Sequence, residues 1–258
     1  MSIQRSTRWG RLLLRLGGAG VAIGLLIAAG LGVWRWYMGG MVEHVRVTGA
    51  SVVPVDTIRH RAGIPVGRSM DTLNTLAVAD RVKAHPWIAH ASVQRRPMAD
   101  ELVLAITEHT PVGLAVGGTN APDVYVTDDG QVLPVPPDTA FDVPLVRGAP
   151  DLKLAAPVPG LLSNALTAVA QSSAARDVIA EVHMRPDSTI EAYTRPMGES
   201  HSIHVLLGRD RFPKKLRRLQ AFLSRMRASP TIPPVRRVDV RFDGHIVVRH
   251  REKATNEL

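Results

Sequence analysis

"HPWIAHASVQRRPMADELVLAITEHTP", residues 85–111, is the stretch whose reading decides the fold. In an extended chain alternate side chains share a face, so Trp87, Ala89, Ala91 and Val93 form one apolar row and Leu102, Leu104 and Ile106 form another. "RPMAD" (96–100) between them has turn chemistry, and the whole predicts an antiparallel hairpin. Upstream, "VEHVRVTGA" (42–50) alternates in the same way and breaks at Gly49, which predicts a short strand. Two helices are expected between strand and hairpin. "VPVDTIRHRAGI" carries Pro54 in a first turn and Gly63 at an end. "SMDTLNTLAVADRVKAHP" offers Ser69 or Asp71 as cap and Leu73, Leu76, Val78 and Val82 as inner face, and Pro86 stops it. The order is β-α-α-β-β in about 70 residues, an α+β unit.

Before this unit, Leu16 to Trp34 runs 19 residues without a charge or a proline. As a helix it would be about 28 Å long, close to the hydrocarbon thickness of a bilayer. Trp9 precedes it and Trp34, Trp36 and Tyr37 close it, as interfacial aromatics do. Arg5, Arg8, Arg11 and Arg15 precede the span and only Arg35 immediately follows, so residues 1–15 are expected in the cytoplasm, 16–37 in the membrane and the remainder outside. A cleaved signal peptide would have a shorter apolar core and a small-x-small cleavage site in place of the bulky "VWRWYM". Gly20, Gly24, Ala28 and Gly32 recur at four-residue intervals, a small-residue face along which a second membrane helix could approach.

The 258-residue chain has a formal net charge of +9. Setting aside the five arginines before Glu43 leaves 27 basic against 23 acidic residues, so the basicity is largely an N-terminal feature and not a nucleic-acid footprint. With no cysteine there is neither a disulfide framework nor a thiolate metal site.

Residues 111–250 read as a second, strand-rich domain with two helices. Asp129-Gly130 flanked by Val124, Val126 and Val132 signals a hairpin, and "VIAEVHMRPDSTIEAYTRP" (178–196) two strands turning at 186–188. One helix is expected within 158–171. The other is "FPKKLRRLQAFLSRM" (212–226), where Phe212, Leu216, Leu219, Leu223 and Met226 make an apolar stripe and Lys214, Lys215, Arg217, Arg218 and Arg225 a solvated basic face. At the end, Arg237, Asp239 and Arg241 alternate with Val238, Val240 and Phe242, and after Asp243-Gly244 the run from Ile246 to Val248 returns. A terminal hairpin is commonly a sheet edge, to which a partner peptide can add as another strand. The tail 251–258, "REKATNEL", is charged and polar and is expected to be disordered.

Catalytic constellations are absent. There is no glycine-rich phosphate loop, no H-E-x-x-H and no G-x-S-x-G. His201 and His204 would point to opposite faces of a strand, a poor metal pair, and Asp128 and Asp129 before Gly130 are turn chemistry. No cofactor, metal or small-molecule substrate is expected. An anchored periplasmic hydrolase would need a triad or metal pocket; a transport component of the outer membrane would need a barrel with aromatic girdles, which 4% aromatic content disfavours.

With these elements in order, "VEHVRVTGA", "IRHRAGIPVGRSM" and the opening stretch resemble a polypeptide-transport-associated (POTRA) domain in the form found in the FtsQ/DivIB family of bacterial cell division proteins. The likeness continues through Glu108-x-x-Pro111, "YVTDDGQVL" (125–133), "VPLVRGAP" (143–150), the basic helix and "VRRVDVRFDGHIVVRH" (235–250). It implies a POTRA domain over 42–110 and a C-terminal β domain over 111–250. It also implies a divisome scaffold at the septum that binds FtsB- and FtsL-like proteins, among other division membrane proteins. By matched position it implies that Arg236, Asp239, Arg241, Phe242, Gly244, Ile246 and Val248 form the partner-binding edge, with Arg195 as a further contact. Phe242 stands where many relatives carry tyrosine, which removes any role for a phenolic hydroxyl.

Overall fold

The computed structural model describes residues 23–34, 40–117, 122–149, 152, 154, 157–196, 202–228 and 235–250. Residues 23–34 form helix α1, whose Ile23, Leu25, Leu26, Ile27, Leu31 and Trp34 are all exposed. Gly24, Ala28 and Gly32 of the small-residue series lie on it. Gly20, Trp9, Trp36, Tyr37, the flanking arginines and the tail 251–258 lie outside the described residues. Among the described residues no helix is long and apolar enough to cross a membrane.

The chain divides into two compact units, Met1–Glu108 and His109–Leu258, and is mixed α+β. In the first, β1 (His44–Thr48), α2 (Val55–Ala62), α3 (Thr75–Lys83), β2 (Ile88–Arg96) and β3 (Glu101–Glu108) follow one another in the β-α-α-β-β order. The sheet order is β1-β3-β2, with β1 parallel and β2 antiparallel to β3. Ile58, Val78, Val82, Trp87, Leu102 and Leu104 are buried. Gly63 ends α2 in the left-handed conformation, as its position predicts. Gly49 has φ 85, and a Cβ there would lie 2.1 Å from the Ile106 carbonyl oxygen, so only glycine fits.

Two expectations for α3 need correction. Its cap is Asn74, whose side chain accepts from the Ala77 amide, while Ser69 begins a separate 3-10 turn over Met70–Thr72. Leu76 is 76% exposed, because two residues from Val78 is some 200° around a helix, away from the face that Val78 and Val82 bury. In β2 a register shift between Ile88 and His90 breaks strict alternation, so that Trp87 and Ile88 are both buried.

The second unit contains β4 (Pro111–Ala115), β5 (Val124–Thr127), β6 (Val132–Pro134), β7 (Leu145–Arg147), α4 (Gly160–Gln171), α5 (Ser173–Val178), β8 (Ile179–Met184), β9 (Ile190–Thr194), β10 (His204–Gly208), α6 (Phe212–Ala228), β11 (Val235–Asp239) and β12 (Val247–His250). One nine-stranded sheet has the order β12-β11-β10-β9-β8-β7-β4-β5-β6. Leu162 and Leu166 of α4 and Leu216, Leu219 and Leu223 of α6 share one core with Val182, Val205 and Val238 of the sheet.

The sequence reading missed α5, a third helix, which the Ser172 side chain caps by accepting from the Ala175 amide. The basic face of α6 is also smaller than expected. Lys215, beside the apolar Leu216 and one turn after Phe212, is only 3% exposed, and its Nζ donates to Leu207 O at 2.8 Å and Asp210 Oδ1 at 2.7 Å. Its chain turns inward because the Leu207 carbonyl at the end of β10 offers the ammonium a partner.

Candidate functional site

The last strand, β12, forms one edge of the nine-stranded sheet. Among the described residues it pairs on one side only, antiparallel to β11, with Arg237 opposite Arg249, Val238 opposite Val248 and Asp239 opposite Val247. β11 in turn runs parallel to β10, with His204 opposite Arg237. On the outer side of β12 alternate backbone N–H and C=O groups face away from the sheet, the arrangement to which an added strand bonds. Val248 and Ile246 pack in part against the core, so the strand is held by burial on one face while Val247, 50% exposed, is on the other.

The expected run of strand through Phe242 does not form. β11 ends at Asp239, and 240–246 make an irregular turn in which Gly244 has φ 78. The cause lies in α6: Arg218 donates through Nη2 to Val240 O at 2.9 Å and through Nη1 to Phe242 O at 2.6 Å, occupying carbonyls that a ladder would need. Phe242 is thereby displayed in a turn and is 52% exposed, with the Arg241 guanidinium 6.0 Å from its ring centroid.

Charge fixes this turn. Asp239, 7% exposed, accepts from the Arg241 backbone N–H at 3.0 Å and from its guanidinium at 2.6 Å through Nη2. Burial pushes the Asp239 carboxyl up, but the Arg241 side-chain and backbone bonds outweigh it and hold the group below the usual carboxylate range. The same pairing raises the Arg241 guanidinium. Asp243 accepts from Lys214 at 3.3 Å and from Arg211, and these cations hold its carboxyl below the ordinary value. Both acids of the turn are thus neutralised by the fold.

Not every residue expected at the edge is free for a partner. Arg236 is exposed on β11, and Arg241, Phe242 and Gly244 are exposed in the turn. Asp239 acts inward, on Arg241. Arg195 does not join the group: it follows β9, two strands further in, donates to Asp142 Oδ1 at 2.5 Å, and adjoins the Thr194 end of that strand. The register His204 to Tyr193 and His204 to Arg237 puts that end level with Val235 and His250, at the far end of the strands from Phe242. Arg218, Lys214 and Arg211 hold the turn of the candidate site and were not singled out for it. Only the clustered cations of the basic helix hinted at them, and nothing local says which carbonyl or carboxylate a helix will meet.

Behind the edge, Arg237 Nε donates to His204 Nδ1 at 3.1 Å, and because arginine can only donate, His204 Nε2 carries the proton shared with Glu191 at 2.9 Å. Tyr193 stacks on His204 with ring centroids 4.7 Å apart. His204 is therefore part of a cross-strand network, and His201 lies outside the described residues. Among the described residues no three His, Cys, Asp or Glu side chains converge as a metal site.

Comparison with known proteins matches residues 41–109 to the family model described as "POTRA domain, FtsQ-type" and residues 111–248 to that described as "FtsQ/DivIB, C-terminal related". The chain is 36% identical over 259 residues to the cell division protein FtsQ of Salinibacter ruber, covering 97% of this chain and 98% of that one. It is 33% identical to the FtsQ of Rhodothermus marinus, covering 93% and 87%, and 24% identical to that of a Geobacter species, covering 95% and 91%.

Proposed function

This chain belongs to the FtsQ/DivIB family of cell division proteins, and on that premise we propose that it is a bitopic membrane scaffold of the divisome that binds FtsB- and FtsL-like proteins through β12. Residues 1–15 stay in the cytoplasm, 16–37 cross the inner membrane, and the POTRA domain (42–110) and β domain (111–250) stand in the periplasm at the septum. The series Gly20, Gly24, Ala28 and Gly32 gives another division membrane helix a close approach. The protein acts by stoichiometric binding, without turnover or cofactor, and links early division proteins to control of septal peptidoglycan synthesis.

The observation that carries this reading is the one-sided pairing of β12 beside the exposed Phe242 and Val247. A partner strand would gain main-chain hydrogen bonds from the edge and apolar contact from these two side chains, with Arg236 setting charge preference. The test is a pull-down of residues 42–258 with the periplasmic parts of FtsB- and FtsL-like proteins, comparing wild type with Phe242→Ala and Val247→Pro. Binding by wild type and loss in either variant, both folded by circular dichroism, is expected. Binding that survives both changes moves the interface elsewhere.

A further inference from the structure

One end of the first unit gathers three segments. A Cβ on Gly40 would lie 2.8 Å from Pro97 O, the Met41 amide donates to Asp100 Oδ1 at 3.1 Å, and the Gly67 amide donates to Val42 O at 2.8 Å. Arg95 reaches from the end of β2 to Leu73 O at 2.5 Å, which draws the start of α3 to the same end. Five large apolar side chains of residues 40–108 are exposed: Met41 at 53%, Val55 at 37%, Val66 at 68%, Leu76 at 76% and Met98 at 71%. Four of them sit on these converging segments, while Val55 adjoins the Val52 and Val53 amides bound to Glu108 at the opposite end. Scattered apolar residues need no explanation, but four gathered at one end of a small domain do.

The occupant is indicated by the tether. Gly40, beside the patch, enters the unit at this end six residues beyond Trp34, the last described residue of α1, so it stays within about 21 Å of Trp34 even if the intervening chain is fully extended. The headgroup layer on each side of a bilayer is itself roughly 5–8 Å deep. Arg68 is exposed among the apolar residues and can donate to lipid phosphate, and Asp100, an acid of the same end, is occupied by the Met41 amide. Glu43 and Asp71 remain as exposed acids there, Asp71 accepting from the Ser69 hydroxyl. We infer that Met41, Val66, Leu76 and Met98 dock this end of the POTRA unit on the outer leaflet of the bilayer interface, as shallow apolar insertions around Arg68. The inference rests on the reading that residues 16–37 cross the membrane.

The test uses the full chain in phospholipid nanodiscs with 13C-labelled methionine methyls, comparing plain lipid with lipid carrying an acyl-chain nitroxide. The Met41 and Met98 signals are expected to be lost with the nitroxide and to return in a Val66→Glu, Leu76→Glu double variant, which charges the patch and leaves both reporters in place. Signals that persist in the wild type, with the chain co-eluting with the nanodisc, overturn the docking and leave the anchor standing. Equal loss in the wild type and the double variant reduces the effect to tethering and also overturns it. Met98 shielded only after a partner protein is added makes the patch a protein interface instead. A chain that does not co-elute with the nanodisc sinks the anchor, and the docking with it.

Discussion

Glu108, the last residue of β3, binds the entrance of α2 across 55 to 57 residues of chain. Its carboxylate accepts from the backbone N–H groups of Ser51 (3.0 Å), Val52 (2.9 Å) and Val53 (2.9 Å), and from Ser51 Oγ at 2.5 Å. Three consecutive amides converging on one anion just before a helix combine helix-terminus electrostatics with charge-assisted hydrogen bonds. Such bonds contribute about 1.5–3 kcal/mol each when dry, but water can reach this half-buried group, so the expected cost of Glu108→Gln is about 1–2 kcal/mol in total. In a domain of this size that lowers Tm by roughly 4–15 °C. Burial pushes the carboxyl up, yet the Ser51 hydroxyl and the amides of Val53, Val52 and Ser51 together bring it below its ordinary value. A carboxyl whose folded value is depressed contributes stability that is complete above the unfolded value of about 4.3 and is lost as pH falls through the folded one. The assay is hydrogen exchange at the amides of 51–53, with thermal melts at neutral pH and near pH 3. Glu108→Gln should speed exchange about fivefold to thirtyfold, the equivalent of 1–2 kcal/mol, and should narrow its gap to wild type at the lower pH. Unchanged exchange at Val52 and Val53 would refute the clamp.

Gly49→Ala should unfold or severely weaken the first unit, since its Cβ would collide with Ile106 O; loss of far-ultraviolet dichroism at 37 °C measures it. Lys215→Met should lower stability by about 1–3 kcal/mol in urea titrations, because the buried Leu207 carbonyl loses its donor. Arg218→Ala should release the Val240 and Phe242 carbonyls and weaken FtsB-like partner binding severalfold, with the melting profile shifting much less than the affinity. Asp239→Asn should loosen the same turn. In the wild type that turn should hold above the ordinary carboxylate range and loosen as pH falls through the depressed Asp239 value, a change that amide shifts of 239–243 would follow by NMR.

Much of the architecture was legible because the relevant periods are short. Alternation in 42–50, 87–93 and 102–106, the Gly63 stop and the Asp129-Gly130 and 186–188 turns are all decided by residues within a few positions of one another. They were enough for the β-α-α-β-β unit, for the hairpins of the second unit and for the family. Two errors were local as well: the cap of α3 is Asn74 and not Ser69 or Asp71, and the helix after Ser172 is too short to leave a periodic signal. What needed the tertiary structure is everything that depends on which distant groups meet. Glu108 reads as one acid in a loose Glu-x-x-Pro motif until its carboxylate is found on the amides of residues 51–53. Arg218 and Lys215 are alike as members of a basic helix, yet one holds a turn and the other is buried on a carbonyl. The order of the nine strands, which leaves the last one in the chain on an edge, comes from pairings such as Leu114 with Leu145 and His204 with Arg237. Periodicity says which face of a strand is apolar, but only the closing of the sheet around one core decides which strand is left without a neighbour.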